Sequence, residues 1–244
     1  MSKFTEQLKQ VFQTAPQPMG FRMAKSTPPR PRIQLVVSLN ADTDGLEKLE
    51  GAADAVFVPA SYKGNGDVLK GIKTSKGTAK EIEQAKENGA DYAVVPVTGA
   101  AVAANKEFGR ILTVDPSITD VILRTVNELP IEGVLIDEKG DLGLNFQRLM
   151  LINRFGSMVS KPIVAKVAGN VTSEELRLIW DAGISGVVVD VAGEADINAV
   201  KKLRQVIDAL PFPVRKKKDN VTITQVASPR EEEHEEPDED DDDD

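Results

Sequence analysis

Four ionisable residues close four apolar runs in the second half of this chain. The runs are Ile111-Leu112-Thr113-Val114-Asp115, Val134-Leu135-Ile136-Asp137, Ile163-Val164-Ala165-Lys166 and Val187-Val188-Val189-Asp190. A charge ending a β-branched run is costly unless it faces a polar cavity. Period-two alternation puts Asp115 with Thr113, Asp137 with Leu135, Lys166 with Val164 and Asp190 with Val188 on one face each. The expectation is one shared mouth in which three carboxylates surround a lysine. Desolvation would lower the pKa of Lys166 and make it an amine able to form a Schiff base, whereas adjacent carboxylates would stabilise the ammonium. Asp137 or Asp190 would then move protons. The same groups could instead neutralise one another in a polar network that caps the core.

Other residues join the candidate mouth. Ser38 and Asn40 end the first apolar run and Lys73 ends the third, so all three are candidate ligand-binding residues. Gly169 and Gly193 follow the last two runs, where backbone amides could approach a phosphate. At the second of these, Glu194 and Asp196 stand where the anion should go, and their plainer role is to favour a helix dipole. Asp115, Asp137, Glu138 and Asp190 are hard oxygen donors suited to Mg²⁺, though they come from separate runs with no tight motif. No other cofactor is indicated.

The elements that must position these groups follow a repeating grammar, an apolar run of strand length and then a helical stretch. Strand one is Leu35 to Leu39, strand two Ala55 to Pro59, strand three Val68 to Thr74 and strand four Tyr92 to Pro96. Strand five is Arg110 to Asp115, strand six Gly133 to Asp137, strand seven Pro162 to Val167 and strand eight Gly186 to Val191. Helices are expected over Thr43 to Leu49, Thr78 to Asn88, Pro116 to Leu129, Leu144 to Met158, Thr172 to Asp181 and Ala195 to Leu210. Thr172 and Glu175 have capping-box spacing. Eight parallel buried runs alternating with helices predict a closed (β/α)8 TIM-like barrel, irregular around strands two and three. Val36, Phe57, Val94, Leu112, Leu135, Val164 and Val188 are expected in its interior or immediate shell. An open doubly wound sheet is disfavoured by the count and by the lack of a G-x-G-x-x-G loop after strand one. Without strand three, a seven-stranded partial barrel would remain.

Composition narrows the function. The chain has 244 residues, no cysteine and one histidine, His234. A disulfide framework, a thiolate nucleophile and a cysteine zinc site are therefore excluded. No run approaches the ~18 apolar residues of a membrane span, and the N-terminus lacks the apolar region of a secretory signal. The cytoplasm is the expected compartment. Of the net charge of −9, the stretch Arg230 to Asp244 supplies −11, leaving +2 elsewhere. Residues 213–244 combine the basic run Arg215 to Lys218, a short alternating stretch at Val221 to Thr224 and this acidic tail, which is expected to be disordered. The basic run lacks the interleaved aromatics of a nucleic-acid surface.

Residues 1–32 form a third segment. Phe4, Leu8, Val11 and Phe12 share one helical face, and a proline-rich linker follows. That helix either closes the barrel floor or docks a protein partner, a role also open to the acidic tail. Residues 33–212 are the barrel.

The cadence from Thr78 through Val97 and from Pro162 through Leu210 resembles the aldolase-type barrel superfamily. It is carried by Lys161-Pro162-Ile163-Val164-Ala165-Lys166 leading into Ala182-Gly183-Ile184-Ser185-Gly186-Val187-Val188-Val189-Asp190. The resemblance covers about half of the chain and implies the barrel fold. Members that use a Schiff-base lysine often carry it on strand six; Lys166 counts to strand seven. The expected function is a lyase of aldolase type acting on a small polar carbonyl or carboxylate substrate. The alternative is a non-catalytic scaffold that uses its N-terminal helix and charged C-terminal segments.

Overall fold

A computed structural model describes residues 2–12, 32–39, 46–62, 66–99 and 108–211. Asn40, the proline-rich linker, the basic run and the acidic tail lie outside the described residues. Eight strands close into a barrel in sequence order. They are β1 (Gln34–Leu39), β2 (Ala55–Pro59), β3 (Leu69–Lys73), β4 (Tyr92–Pro96), β5 (Gly109–Val114), β6 (Gly133–Ile136), β7 (Ile163–Lys166) and β8 (Ile184–Val191). Every neighbouring pair is parallel, and β1 closes on β8 over six residues, from Gln34 opposite Gly186 to Leu39 opposite Val191. The uncertain third run is thus a full member of the sheet.

The helices are α1 (Lys3–Phe12), α2 (Ala79–Glu87), α3 (Asp120–Thr125), α4 (Phe146–Met158), α5 (Ser173–Asp181) and α6 (Glu194–Ala209). Two expected helices come out shorter. What is described of the Thr43 to Leu49 stretch holds only a 3-10 turn at Glu47–Leu49. The stretch from Pro116 starts its helix at Asp120 because Asp115 folds the intervening residues into a turn, accepting Ser117 N at 2.8 Å and Ser117 Oγ at 2.6 Å. Helix α4 begins at Phe146 because the Asn145 side chain accepts from Arg148 N. The expected capping box of α5 forms, with Thr172 as cap and Glu175 returning the bond, and α2 carries a second one with Thr78 and Glu81.

Alternation along the strands sorts two cores. Val36, Ala55, Phe57, Tyr92, Val94, Ile111, Leu135, Val164 and Val188 fill the barrel interior, and their neighbours face the helices in a larger outer cluster. In β5 the inward residue is Ile111, while Leu112 belongs to the outer shell. The interior is completed by α1, whose Phe4 and Leu8 are fully buried in the same cluster. The Phe4 ring stacks on Tyr92 with centroids 4.8 Å apart, and Phe57 meets Tyr92 edge-on at 5.9 Å. Asp91, immediately before β4, caps α1 by accepting Phe4 N and Lys3 N at 3.0 Å and Ser2 Oγ at 2.6 Å. From the apolar stripe of α1, Phe4 and Leu8 enter the barrel floor and Val11 is buried in the outer cluster, while Phe12 is half-exposed and Glu6, Gln7 and Gln10 meet solvent.

At the same end Arg204 of α6 pairs with Asp54 at 2.8 Å and Asp208 at 2.7 Å, while Asp54 also accepts Leu35 N. Helix α4 packs closely against the C-terminal end of α5 at Gly156. A Cβ there would lie 1.8 Å from the Ala182 carbonyl oxygen, which is backbone and cannot swing aside. Alanine would favour the helix by about 1 kcal/mol, but the clash forces the helices apart. Gly156→Ala should therefore lower stability by about 1–3 kcal/mol net in urea unfolding. A neutral or stabilised variant would refute this packing.

Candidate active site

The C-terminal ends of the strands gather the charged groups on one side of the ring. Positions two residues beyond the interior layer are Ser38, Pro59, Lys73, Pro96, Thr113, Asp137, Lys166 and Asp190. Ser38 and Asp190 are register partners across β1 and β8. Ile136 pairs with Ala165, which brings the next residues, Asp137 and Lys166, level on adjacent strands. Their ion pair follows: Lys166 Nζ lies 2.8 Å from Asp137 Oδ1 and 4.0 Å from Asp190 Oδ2. On the other side of β1, Lys73 Nζ donates to Ser38 Oγ at 2.6 Å. Solvent reaches the cluster, since the side chains of Lys166, Asp137 and Asp190 are 19%, 33% and 53% exposed.

The two lysines differ in their surroundings. Burial lowers the pKa of Lys73; the Asp190 charge opposes that fall, the Lys166 charge adds to it and Asp137 opposes it. Lys73 is thus partly desolvated and within electrostatic range of every other charged group of the mouth, yet hydrogen-bonded to a neutral hydroxyl. Lys166 instead has a carboxylate in contact. The sequence singled out Lys166 as the candidate amine, with desolvation and neighbouring carboxylates opposed; in the folded chain it is Lys73 whose pKa burial lowers. A run ending Leu69-Lys70-Gly71-Ile72-Lys73 carried too little apolar character to reveal it. Lys161 is also lowered by burial, but it lies at the opposite end of β7 and donates to the Leu129 and Ile131 carbonyls.

Asp115 does not join the mouth cluster. Its exposed carboxylate is held by Ser117, whose side-chain and backbone hydrogen bonds lower its pKa. The hard-donor set is likewise dispersed: Asp137 contacts Lys166, Glu138 contacts Arg148 and Asp115 contacts Ser117. Among the described residues no three His, Cys, Asp or Glu side chains come together to hold a metal ion. At Gly193 the amide is taken, because Asp196 Oδ2 accepts Ala192 N at 2.9 Å and Gly193 N at 3.2 Å. Gly169 is half-buried against α6, where a Cβ would stand 3.4 Å from Ala199 Cβ.

Sequence reasoning missed Arg148. Its side chain is 4% exposed, and its guanidinium donates to Glu138 Oε2 at 2.7 Å, to the Leu142 carbonyl and to the carbonyl of Lys166 itself. One buried cation therefore ties the loop that follows Asp137 to the strand end that carries Lys166. A signal existed: Arg148 lies four residues before Ile152 and seven before Phe155, on the buried face of α4, where a solvated arginine does not belong.

No family model matches the chain, and no curated protein matches it. Solved structures do. A mutant tryptophan synthase alpha-subunit from Pyrococcus furiosus superposes with a TM-score of 0.58 at 15% identity, covering 73% of this chain and 98% of that one. A thiamine phosphate pyrophosphorylase from the same organism gives a TM-score of 0.53 at 16% identity, covering 73% and 97%. At such identities the likeness speaks for the fold alone. No helix among the described residues is long and apolar enough to cross a membrane. The chain has a TIM-barrel fold, a broad resemblance that assigns it to no specific family.

Proposed function

We propose that this barrel is a lyase that binds a small carbonyl compound as an imine on Lys73. The observation that carries the reading is the pair of unlike lysines in one solvent-reached mouth, one with its pKa lowered by burial and one held by Asp137. The neutral Lys73 amine attacks the carbonyl carbon, and a proton passes from nitrogen to oxygen to give a carbinolamine. One further proton, from the Lys166 ammonium, lets the oxygen leave as water and the iminium form. The iminium then accepts the electron pair of the breaking carbon–carbon bond, while Asp190 takes the proton of the neighbouring hydroxyl. The enamine left on Lys73 takes the proton back from Asp190 at carbon and is hydrolysed by water. Solvent returns a proton to Lys166, whose ammonium Asp137 holds. In this assignment Lys166 serves as the acid, and Lys73 supplies the nucleophile.

The competing reading, a non-catalytic scaffold, draws on the fact that these groups also satisfy one another. Borohydride trapping separates the two. With small aldehydes, an adduct should map to Lys73 by mass spectrometry, and Lys73→Met should abolish it. Lys166→Met should slow it by about a hundredfold or more, the lower end of what a positioned general acid contributes. Because its pKa is lowered, Lys73 holds more neutral amine than an exposed lysine at any given pH. Its labelling should therefore persist as pH falls, after the exposed lysines have been protonated. Labelling spread over exposed lysines and unchanged in Lys73→Met would favour the scaffold.

A further inference from the structure

We infer that the mouth takes an unphosphorylated hydroxy-aldehyde or hydroxy-ketone; this rests on the imine reading above and narrows its substrate. The first observation is what occupies the backbone around the rim. In a barrel, a phosphoryl dianion is held by amides of the loops and helix N-termini that follow the strands, above all the last two. Among the described residues, amides after three of the strands already meet carboxylates of the chain. After β8, Asp196 accepts the amides of Ala192 and Gly193. After β7, Glu175 Oε2 accepts Thr172 N at 2.8 Å and Thr172 Oγ1 at 2.9 Å, and its carboxylate also takes the Leu144 amide that precedes α4. After β3, Glu81 Oε2 accepts Lys76 N and Thr78 N, each at 3.1 Å. A phosphate arriving at any of these places would have to displace a bound carboxylate of its own sign.

The charge of the mouth points the same way. With Lys73 neutral for attack, one positive charge on Lys166 faces two negative charges on Asp137 and Asp190. Asp196 adds negative charge just beyond β8, where Glu194 is paired with Lys48. A dianion is repelled by such a field, whereas an uncharged carbonyl compound is not. The groups left to meet a substrate suit hydroxyls: the half-exposed carboxylate of Asp190, the Ser38 hydroxyl, which accepts from Lys73 and can still donate, and Thr113 at the same level.

The test compares glyceraldehyde with its phosphate ester in reductive trapping on the full chain. Glyceraldehyde should label Lys73 about tenfold faster or more, the scale on which a like-charged cleft changes local concentration. Equal or faster labelling by the ester overturns this inference and leaves the imine reading intact. No Lys73 adduct from either compound overturns the imine reading, and the inference falls with it. A second measurement needs no imine: the full chain is titrated with inorganic phosphate while the backbone amide signals of Ala192, Gly193, Thr172, Lys76 and Thr78 are followed. No saturable shift is expected at any of them. Saturable shifts there would show that the carboxylates do not keep phosphate out, and would overturn the inference.

Discussion

Replacing Phe4 with alanine should destabilise the chain by about 3–5 kcal/mol, the range for a fully buried phenylalanine. The residue lies on an N-terminal helix that is easily taken for an appendage. Yet its ring has no exposure, stacks on Tyr92 and shares the barrel interior with Phe57 and Leu8. The cavity cannot close easily, because the surrounding wall is a sheet hydrogen-bonded all the way round. Thermal and urea unfolding would show it. A loss below about 1 kcal/mol, the size of an ordinary surface effect, would mean that α1 is not the floor. Asp91→Ala should weaken the same element by less, about 1 kcal/mol, by removing the carboxylate that caps its first turn.

Arg148→Met should cost about 3–5 kcal/mol, since it breaks a buried ion pair and leaves Glu138 and two carbonyls without their donor. The site should respond as well, because the same guanidinium holds the Lys166 carbonyl. Imine trapping at Lys73 should slow in Arg148→Met at a temperature where the protein is still folded, and Arg148→Lys should restore only part of it, as a lysine cannot span three acceptors. Stability lost with trapping rate unchanged would make Arg148 a purely structural clamp. By contrast, Lys166→Met disrupts a pair whose members keep 19% and 33% of their side-chain exposure. Its cost should be nearer to about 1 kcal/mol than to the figure for a fully buried pair.

The sequence by itself determined the barrel. Strand runs such as Val134 to Ile136 and Val187 to Val189 can be buried on both faces only in a parallel sheet covered by helices. Their period also placed Asp137, Lys166 and Asp190 at equivalent strand ends. The capping box at Thr172 was legible as well, being local in sequence. Tertiary structure decided whatever depended on neighbours far along the chain. Asp115 shares the parity of Asp137, but a turn two residues long captured its carboxylate before it could reach the mouth. Arg148 became part of the site only because α4 lies over the end of β7. That burial lowers the pKa of Lys73 was also a tertiary matter. Lys73 and Lys166 are both lysines closing strands, and the difference lies in what closure of the ring set beside each. Lys166 received a carboxylate from β6, whereas Lys73 received a serine hydroxyl from β1. A pKa depends on burial and on charges within a few ångströms, and sequence spacing fixes neither until the chain has closed on itself.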